Sequence, residues 1–478
     1  MHEKYFQIDL TPTQKTAFDK IRFFVENEKD KVFILRGYAG TGKSTIIKGI
    51  IEWLQDKDID FELLASTGRA AKVVSDKTGH QASTVHGAIY TFDQLSEDLD
   101  TLSKEEVDEK GQISLNFSLR SVINPEELTI YIIDEASMIS DTADSSGSFA
   151  KFGTGRLLND LFAFNKQAKF IFIGDASQLP PVASKVDISP ALNKPYIEET
   201  FGYKVEDFAL TEIKRQDLNS GIIKSSMILR NIHERKITVP WPPKLQVKGH
   251  GNDIAFKGNH VQLVNEYIAR VAKDGFYDQT LICNSNNIRH EINLQVRREL
   301  FPSAHQLIAG DLLMITQNNM PTGLVNGDQV EVLEVQGREE RAGLTFLKVR
   351  IQELVSKNIH ITYVIEDVLQ SSKLNITPPQ HKRLIIDFHM RMKEKNVKQK
   401  SRQFKDNMRE DQFLNGLRAV YGYAITCHKS QGGEWDHVYL YIDNKILGKP
   451  QPEIYQWWYT AITRAKKQLH LVDDWFIK

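Results

Sequence analysis

Short apolar runs alternate with amphipathic helical stretches along most of the chain. Residues 11–29 place Ala17, Phe18, Ile21, Phe24 and Val25 on one helical face, with Thr11 as the cap and Pro12 at the first helical position. Val32-Phe33-Ile34-Leu35 is apolar at successive positions, the pattern of a strand buried on both sides. Glycines follow, and a second helix is predicted from about residue 44 to 55. The rhythm returns at 61–65, at 129–133, which ends in Asp134-Glu135, and at 169–173, which ends in Gly174-Asp175. Strands alternating with helices predict a parallel sheet covered on both faces.

Two stretches break the rhythm. Residues 91–127 are acidic from Glu97 to Glu109. They then alternate strictly from Ile113 to Arg120, as a half-buried strand does. They form the greater part of a small insertion at 87–127 in a first α/β domain of residues 1–200. A second α/β domain is expected at 201–328 and 418–478, with strands at 280–283, 421–425, 438–442 and 469–472. Between its halves, 329–417 is an inserted β-rich domain with strands at 330–335, 345–351, 359–365 and 384–388, and charged, helical residues at 391–411. The length of 478 residues agrees with about three domains.

Composition narrows the class. Hydrophobic residues are 41% and charged residues 26%, as in a globular protein rather than a disordered or fibrous one. The net charge is −1, so any attraction for nucleic acid has to be local. Cys283 and Cys427 are the two cysteines, too few for a disulfide scaffold or a four-ligand zinc site. With no signal-like start and no membrane-length apolar run, an intracellular, cytoplasmic location is expected, with no membrane partner.

Gly37-Tyr38-Ala39-Gly40-Thr41-Gly42-Lys43-Ser44 fits G-x-x-x-x-G-K-[ST] between a predicted strand and a predicted helix. Glycines let successive N–H groups curl around phosphates, and the helix start adds its positive dipole end. Lys43 is placed to reach the terminal phosphates, and Ser44 to offer its hydroxyl to Mg2+. Gly37, Ala39, Gly40, Thr41, Gly42 and Thr45 complete the predicted loop. Asp134 at a strand's carboxyl end suits the metal, and Glu135 suits a general base. Together these predict a Mg2+–nucleotide hydrolase without saying what the hydrolysis drives.

Further motifs follow in order. They are Leu10-Thr11-Pro12-Thr13-Gln14, Ala65-Ser66-Thr67-Gly68-Arg69-Ala70-Ala71-Lys72 and Ala82-Ser83-Thr84-Val85-His86, then Asp134-Glu135-Ala136-Ser137-Met138 and Gly174-Asp175-Ala176-Ser177-Gln178-Leu179-Pro180-Pro181. Leu210-Thr211-Glu212-Ile213-Lys214-Arg215-Gln216, Thr426-Cys427-His428-Lys429-Ser430-Gln431-Gly432 and Tyr459-Thr460-Ala461-Ile462-Thr463-Arg464-Ala465 complete the series. From Leu10 to Lys467 the chain resembles superfamily 1B DNA helicases, specifically the RecD-like group. The inserts at 91–127 and 329–417 match most loosely.

That resemblance implies two RecA-like P-loop domains, with a candidate strand-separating pin in the first and an SH3-like β insertion in the second. It implies an ATP-dependent helicase moving 5′ to 3′ on single-stranded DNA. A single-stranded DNA translocase, or an ATPase subunit of a recombination complex, stays open as the alternative. Gln14 would read adenine, Gln178 would sense the γ-phosphate or orient water, and Arg215 and Arg464 would reach the γ-phosphate across a cleft. Each arginine alone could equally be a structural ion pair or a nucleic-acid contact. Glu434 would contact ribose, or is a solvated acid. Ser66, Thr67, His86, Thr426 and His428 would grip DNA. Implied partners are single strands, junctions with duplex, and a single-strand-binding protein or replication and recombination proteins, with the chain a monomer.

Several residues keep two readings. The basic positions among 382–409 are a phosphate-attracting stripe or a solvated helix face. Phe117, in phase with Ile113, Leu115 and Leu119, is expected to be buried rather than to serve as a pin. Trp241, Trp435, Trp457 and Trp458 are candidates to stack on bases, with core packing the stronger expectation.

Overall fold

The computed structural model describes residues 2–27, 29–95, 115–122, 126–143, 150–181, 187–213, 220–237, 239–399 and 401–478. Its first sheet has six strands in the order Ser83–Thr84, Phe61–Ala65, Ile130–Asp134, Lys169–Gly174, Val32–Gly37 and Val205–Leu210. All neighbours run parallel. The unbroken apolar run in Val32–Gly37 has a direct cause. Phe33 and Leu35 enter one core with Ile46, Ile47 and Ile50 of the helix Lys43–Asp56. Val32 and Ile34 enter the opposite core with Leu158 and Leu161 of the helix Leu157–Phe164. Because the strands are parallel, their carboxyl ends at Gly37, Asp134 and Gly174 lie along one edge, where such sheets place their ligands.

A second, five-stranded parallel sheet runs in the order Ile254–Lys257, Ala465–Val472, Trp435–Tyr441, Gln279–Cys283 and Ala424–Thr426. A five-stranded antiparallel sheet stands beside it, ordered Ile359–Ile365, Leu344–Glu353, Gln329–Arg341, Leu312–Ile315 and Ala419–Tyr421. Its long hairpin turns through Ala342 and Gly343, both at positive φ, the two-residue turn that suits strand twist. The expected two parallel-sheet domains with a β-rich insertion in the second are present.

Four expectations are corrected. Val205–Leu210 pairs with Val32–Gly37, so the first α/β domain continues beyond residue 200. The antiparallel sheet recruits Leu312–Ile315 and Ala419–Tyr421, so the insertion is wider than 329–417. The predicted strand 421–425 is therefore two strands in two sheets. Gly422 joins them, where a Cβ would stand 2.9 Å from the Leu313 carbonyl carbon and the Met314 nitrogen. Residues 384–388 are helical, inside Pro378–Glu394, with Leu384, Ile385, Phe388 and Met392 buried at helical spacing. There a Thr377–Gln380 capping box enclosing two prolines at the first helical positions overrides the local β propensity.

The small insertion forms a sheet of Tyr90–Leu95, Leu115–Leu119 and Ala150–Phe152, drawing its last strand from beyond 127. Residues 96–114 of the candidate pin insertion lie outside the described residues. Phe117 stacks on Phe152 with ring centroids 4.6 Å apart, so it is a packing residue as expected. Trp435, Trp457 and Trp458 are buried, whereas Trp241 is exposed. Among the described residues no helix is long and apolar enough to cross a membrane.

The N-terminal segment is anchored by Phe6, whose ring lies over Gly49. A Cβ at Gly49 would sit 2.1 Å from the ring. Gly49→Ala is expected to destabilise the first domain by about 1–3 kcal/mol through overpacking. Thermal unfolding should show a lower midpoint for this variant than for wild type.

Candidate functional site

The strand Val32–Gly37 delivers the chain into a loop with Gly40 and Gly42 at φ 80° and 83°. Gly42 caps the helix Lys43–Asp56 with no side-chain acceptor, which leaves that helix start open to an anion. A Cβ at Gly37 would lie 2.9 Å from Thr41 Oγ1, and one at Gly42 only 2.4 Å from Gln14 Nε2. Both glycines are thus required by close approach. Lys43 lies across the loop and donates to the carbonyls of Gly37 at 2.8 Å and Tyr38 at 3.1 Å.

Gln14 is 1% exposed and its amide is occupied. Oε1 accepts from the Thr11 N–H, and Nε2 donates to the Thr41 carbonyl, each at 2.9 Å. The structure places Gln14 as a brace beneath the loop. The neighbouring cavity of about 300 Å3 is instead lined by Tyr5, Phe6, Gln7 and Ile8 together with Thr45 and Lys48. Those four residues were not singled out from the sequence. Their signal was a short apolar and aromatic stretch just before the Gln14 motif.

Asp134 and Glu135 stand at the end of Ile130–Asp134. Burial first, and the Glu135 charge second, push the Asp134 carboxyl up to about 6 against the pull of Lys43. Glu135 is held at φ 50°, an uncommon backbone state for a residue with a side chain. Asp134 Oδ1, Glu135 Oε2, Ser137 Oγ and Gln178 Oε1 are buried with no hydrogen-bond partner in the protein. Buried polar atoms are ordinarily satisfied, and a hydrated divalent cation with an ordered water matches the oxygens of Asp134, Glu135 and Gln178, which line one cleft. With Ser44 on the same cleft wall, the residues fit Mg2+.

The second domain closes this cleft, which holds about 340 Å3 between Lys43, Ser44, Thr45, Asp134, Glu135 and Gln178 on one side and Glu434 and Arg464 on the other. Arg464 is 4% exposed. It is aimed by hydrogen bonds to the carbonyls of Thr460 at 3.0 Å and Gly433 at 3.2 Å, and to the Thr463 hydroxyl at 3.2 Å. Arg215 lies outside the described residues. Glu434 pairs with Lys77 at 3.7 Å across the cleft.

Tyr459, from the same helix as Thr460, had no role assigned from sequence. Its hydroxyl donates to Asp175 Oδ2 at 2.6 Å and accepts from the Ala39 N–H at 3.5 Å. Thr460 accepts from the Leu179 N–H at 2.9 Å, and Gln431 Nε2 donates to the Leu179 carbonyl at 3.0 Å. The segment carrying Asp175, Gln178 and Leu179 is therefore gripped by the second domain.

The expected DNA contacts fall on both domains. Ser66 Oγ is buried and unpartnered, and its N–H donates to the Asp134 carbonyl at 3.3 Å. The Thr67 hydroxyl caps the helix Gly68–Thr78 by accepting from Ala70 N–H. Thr426 heads the short helix Cys427–Ser430 that carries His428. Burial pushes both His86 and His428 down to about 4, so each is neutral at pH 7 and offers hydrogen bonds rather than charge. Within the basic stretch 382–409, Lys382 is buried and Arg391 pairs with Asp387 and Asp411, while Lys395, Lys398, Arg402 and Arg409 are exposed.

A family profile described as an AAA domain matches residues 9–236, and one described as a UvrD-like helicase C-terminal domain matches 421–472. The chain is 26% identical over 358 residues to the ATP-dependent DNA helicase dda of Enterobacteria phage T4, covering 72% of this chain and 70% of that one. It is 24% identical to the RecBCD enzyme subunit RecD of Buchnera aphidicola, over 94% of this chain and 72% of that one. It is 23% identical to the ATP-dependent RecD2 DNA helicase of Deinococcus radiodurans, over 91% of this chain but 46% of that one. Among solved structures, the Pif1 helicase from Candida albicans aligns over 98% of this chain and 95% of its own, with a TM-score of 0.47 and 16% identity.

The raised Asp134 carboxyl has a consequence for stability. The folded protein holds this proton up to about pH 6, whereas an unfolded aspartate releases it near its ordinary value. Without metal, stability is lost as pH rises through that window. Asp134→Asn is expected to raise the unfolding midpoint of the metal-free protein at pH 7 and to abolish ATP hydrolysis. The stabilisation should fade below about pH 4 in a pH series of melts.

Proposed function

We propose that this chain, a RecD-like superfamily 1B helicase and hence an ATP hydrolase, travels 5′ to 3′ along single-stranded DNA and separates duplex ahead of it. The observation that carries the reading is the split site. Lys43, Ser44, Asp134 and Glu135 stand on one sheet's edge, and Arg464 stands on the facing domain.

In this reading Lys43 and the amides of the loop hold the phosphates, while Ser44 and Asp134 hold Mg2+. The bound cation neutralises charge on the phosphates and helps orient them. Glu135 takes the proton of the attacking water, Gln178 orients that water, and Arg464 stabilises charge on the transferred group. Arg215 would add a second arginine from the segment after Leu210. After hydrolysis the contacts across the cleft weaken, so Tyr459 and Thr460 release the Asp175–Leu179 segment. Cleft closure is thereby coupled to two grips on DNA, at Ser66, Thr67 and His86 on one domain and at Thr426 and His428 on the other. Hydroxyls and neutral imidazoles at phosphates carry little sequence preference, as a tracking motor needs. The match to an ATP-dependent DNA helicase supports DNA as the track, and the direction rests on the resemblance to superfamily 1B. A single-strand-binding protein or a recombination complex would be the natural setting.

Duplexes bearing a 5′ or a 3′ single-stranded tail test this directly. Opening of the 5′-tailed substrate alone, lost in Lys43→Ala, is the expected result. DNA-stimulated ATP hydrolysis with neither duplex opened would replace the helicase with a translocase. Arg464→Ala should lower kcat for ATP by roughly 10³-fold or more while nucleotide still binds.

A further inference from the structure

The helix Gly68–Thr78 carries two different stripes. Ala70, Val73 and Lys77, spaced three and four apart, line the nucleotide cleft. Gly68, Arg69 and Lys72 face the β-rich insertion and the start of Trp435–Tyr441. Val325 sits so close over Gly68 that a Cβ there would be 1.8 Å from it. Arg69 stacks on Trp435 at 4.3 Å and donates to Gln329 Oε1 at 3.3 Å. Lys72 Nζ bridges two carboxylates of the insertion, Asp328 Oδ2 at 2.6 Å and Glu353 Oε2 at 2.5 Å.

Those two acids are shielded, with side chains 7% and 6% exposed. Asp328 also accepts from the Val325 N–H at 2.9 Å, so the ion pair and the Gly68 contact belong to one turn. Glu353 accepts from His360 at 2.8 Å through its other oxygen. Burial would raise Glu353, but hydrogen bonds from Lys72, His360 and Ser356 hold it down at about 2. Among the described residues, Lys72 is the one cation of the first domain paired to acids of the insertion. A shielded acid that loses its cation is strongly disfavoured, so this contact has two states, made or broken, rather than a graded one.

We infer that Lys72 is a positioning residue that locks the β-rich insertion onto the first domain when the nucleotide cleft closes. It acts through Asp328 and Glu353 and touches neither ATP nor DNA. Motion at Ala70, Val73 and Lys77 is passed along a single rigid helix to Lys72. The insertion and the Thr67 end of the helix then move with the cleft. The inference rests on the two-domain motor reading above.

The test follows closure itself. The native cysteines, Cys283 and Cys427, are both buried. Surface cysteines introduced at Lys57 and Glu340 can therefore carry a fluorescence-transfer pair between the first domain and the insertion. The full chain is titrated with an ATP analogue that cannot be hydrolysed. Lys72→Met is expected to raise the half-closure concentration about 5-fold or more, the usual size of a coupling between sites. Lys72→Arg should retain closure. Lys72→Met combined with Asp328→Asn and Glu353→Gln removes the stranded charges. Its melting point should recover toward wild type while closure stays weak, which separates locking from stability. Half-closure within about twofold of wild type in Lys72→Met or in the triple variant would overturn the inference. So would a wild-type chain whose transfer signal ignores nucleotide. Failure of the tailed-duplex assay with closure intact would instead count against the motor reading.

Discussion

The hydroxyl of Tyr459 is the point on which the two halves of the molecule agree. It donates to the Asp175 carboxylate and lies against the Ala39 amide, so one atom joins the facing domain to both the phosphate loop and the segment after Lys169–Gly174. Burial, and then the Asp175 charge, hold this phenol well above its ordinary range, so it is a donor at any working pH. A hydrogen bond to a charged acceptor in a shielded place is stronger than a neutral one and strict about geometry. Gln178 and Leu179 follow in the same segment, so the position of the Gln178 amide depends on whether the far domain is docked.

This dependence explains why the site is assembled from weak pieces. Glu135 carries backbone strain, Asp134 sits where burial opposes its charge, and several oxygens lack partners in the protein. None of these favours the folded state by itself. They persist because two well-packed parallel sheets, each with cores on both faces, hold them in place.

How much was legible in the chain follows the range of each interaction. The phosphate loop could be read directly, because glycine spacing beside an apolar run is a local property. The Phe61–Ala65 strand was likewise visible at its observed limits. Sheet membership was not, since nothing local shows that Val205–Leu210 pairs back to Val32–Gly37 or that 419–426 divides between two sheets. Residues 384–388 looked like a strand because Ile385 and Ile386 favour one, while the deciding signal was the cap at Thr377 upstream. Arg464 could be placed by its motif. Tyr459 lay in the same motif, but its partner Asp175 is 284 positions away, so only the fold reveals the pair. Gln14 shows the converse, a motif residue whose amide proves to be occupied by the loop it braces.

The passage of the chain through Gly422 has a mechanical meaning. Ala419–Tyr421 ends the antiparallel sheet and Ala424–Thr426 begins in the parallel one, with only Gly422 and the buried Tyr423 between, and no space for a side chain at Gly422. Gln329 reinforces the joint by donating to the Gly422 carbonyl at 2.8 Å. The β-rich insertion is thus welded to its host rather than hung from a flexible tether. Its root therefore lies a few residues from Thr426, and the Ala342–Gly343 hairpin tip is the far end of an arm fixed at that joint.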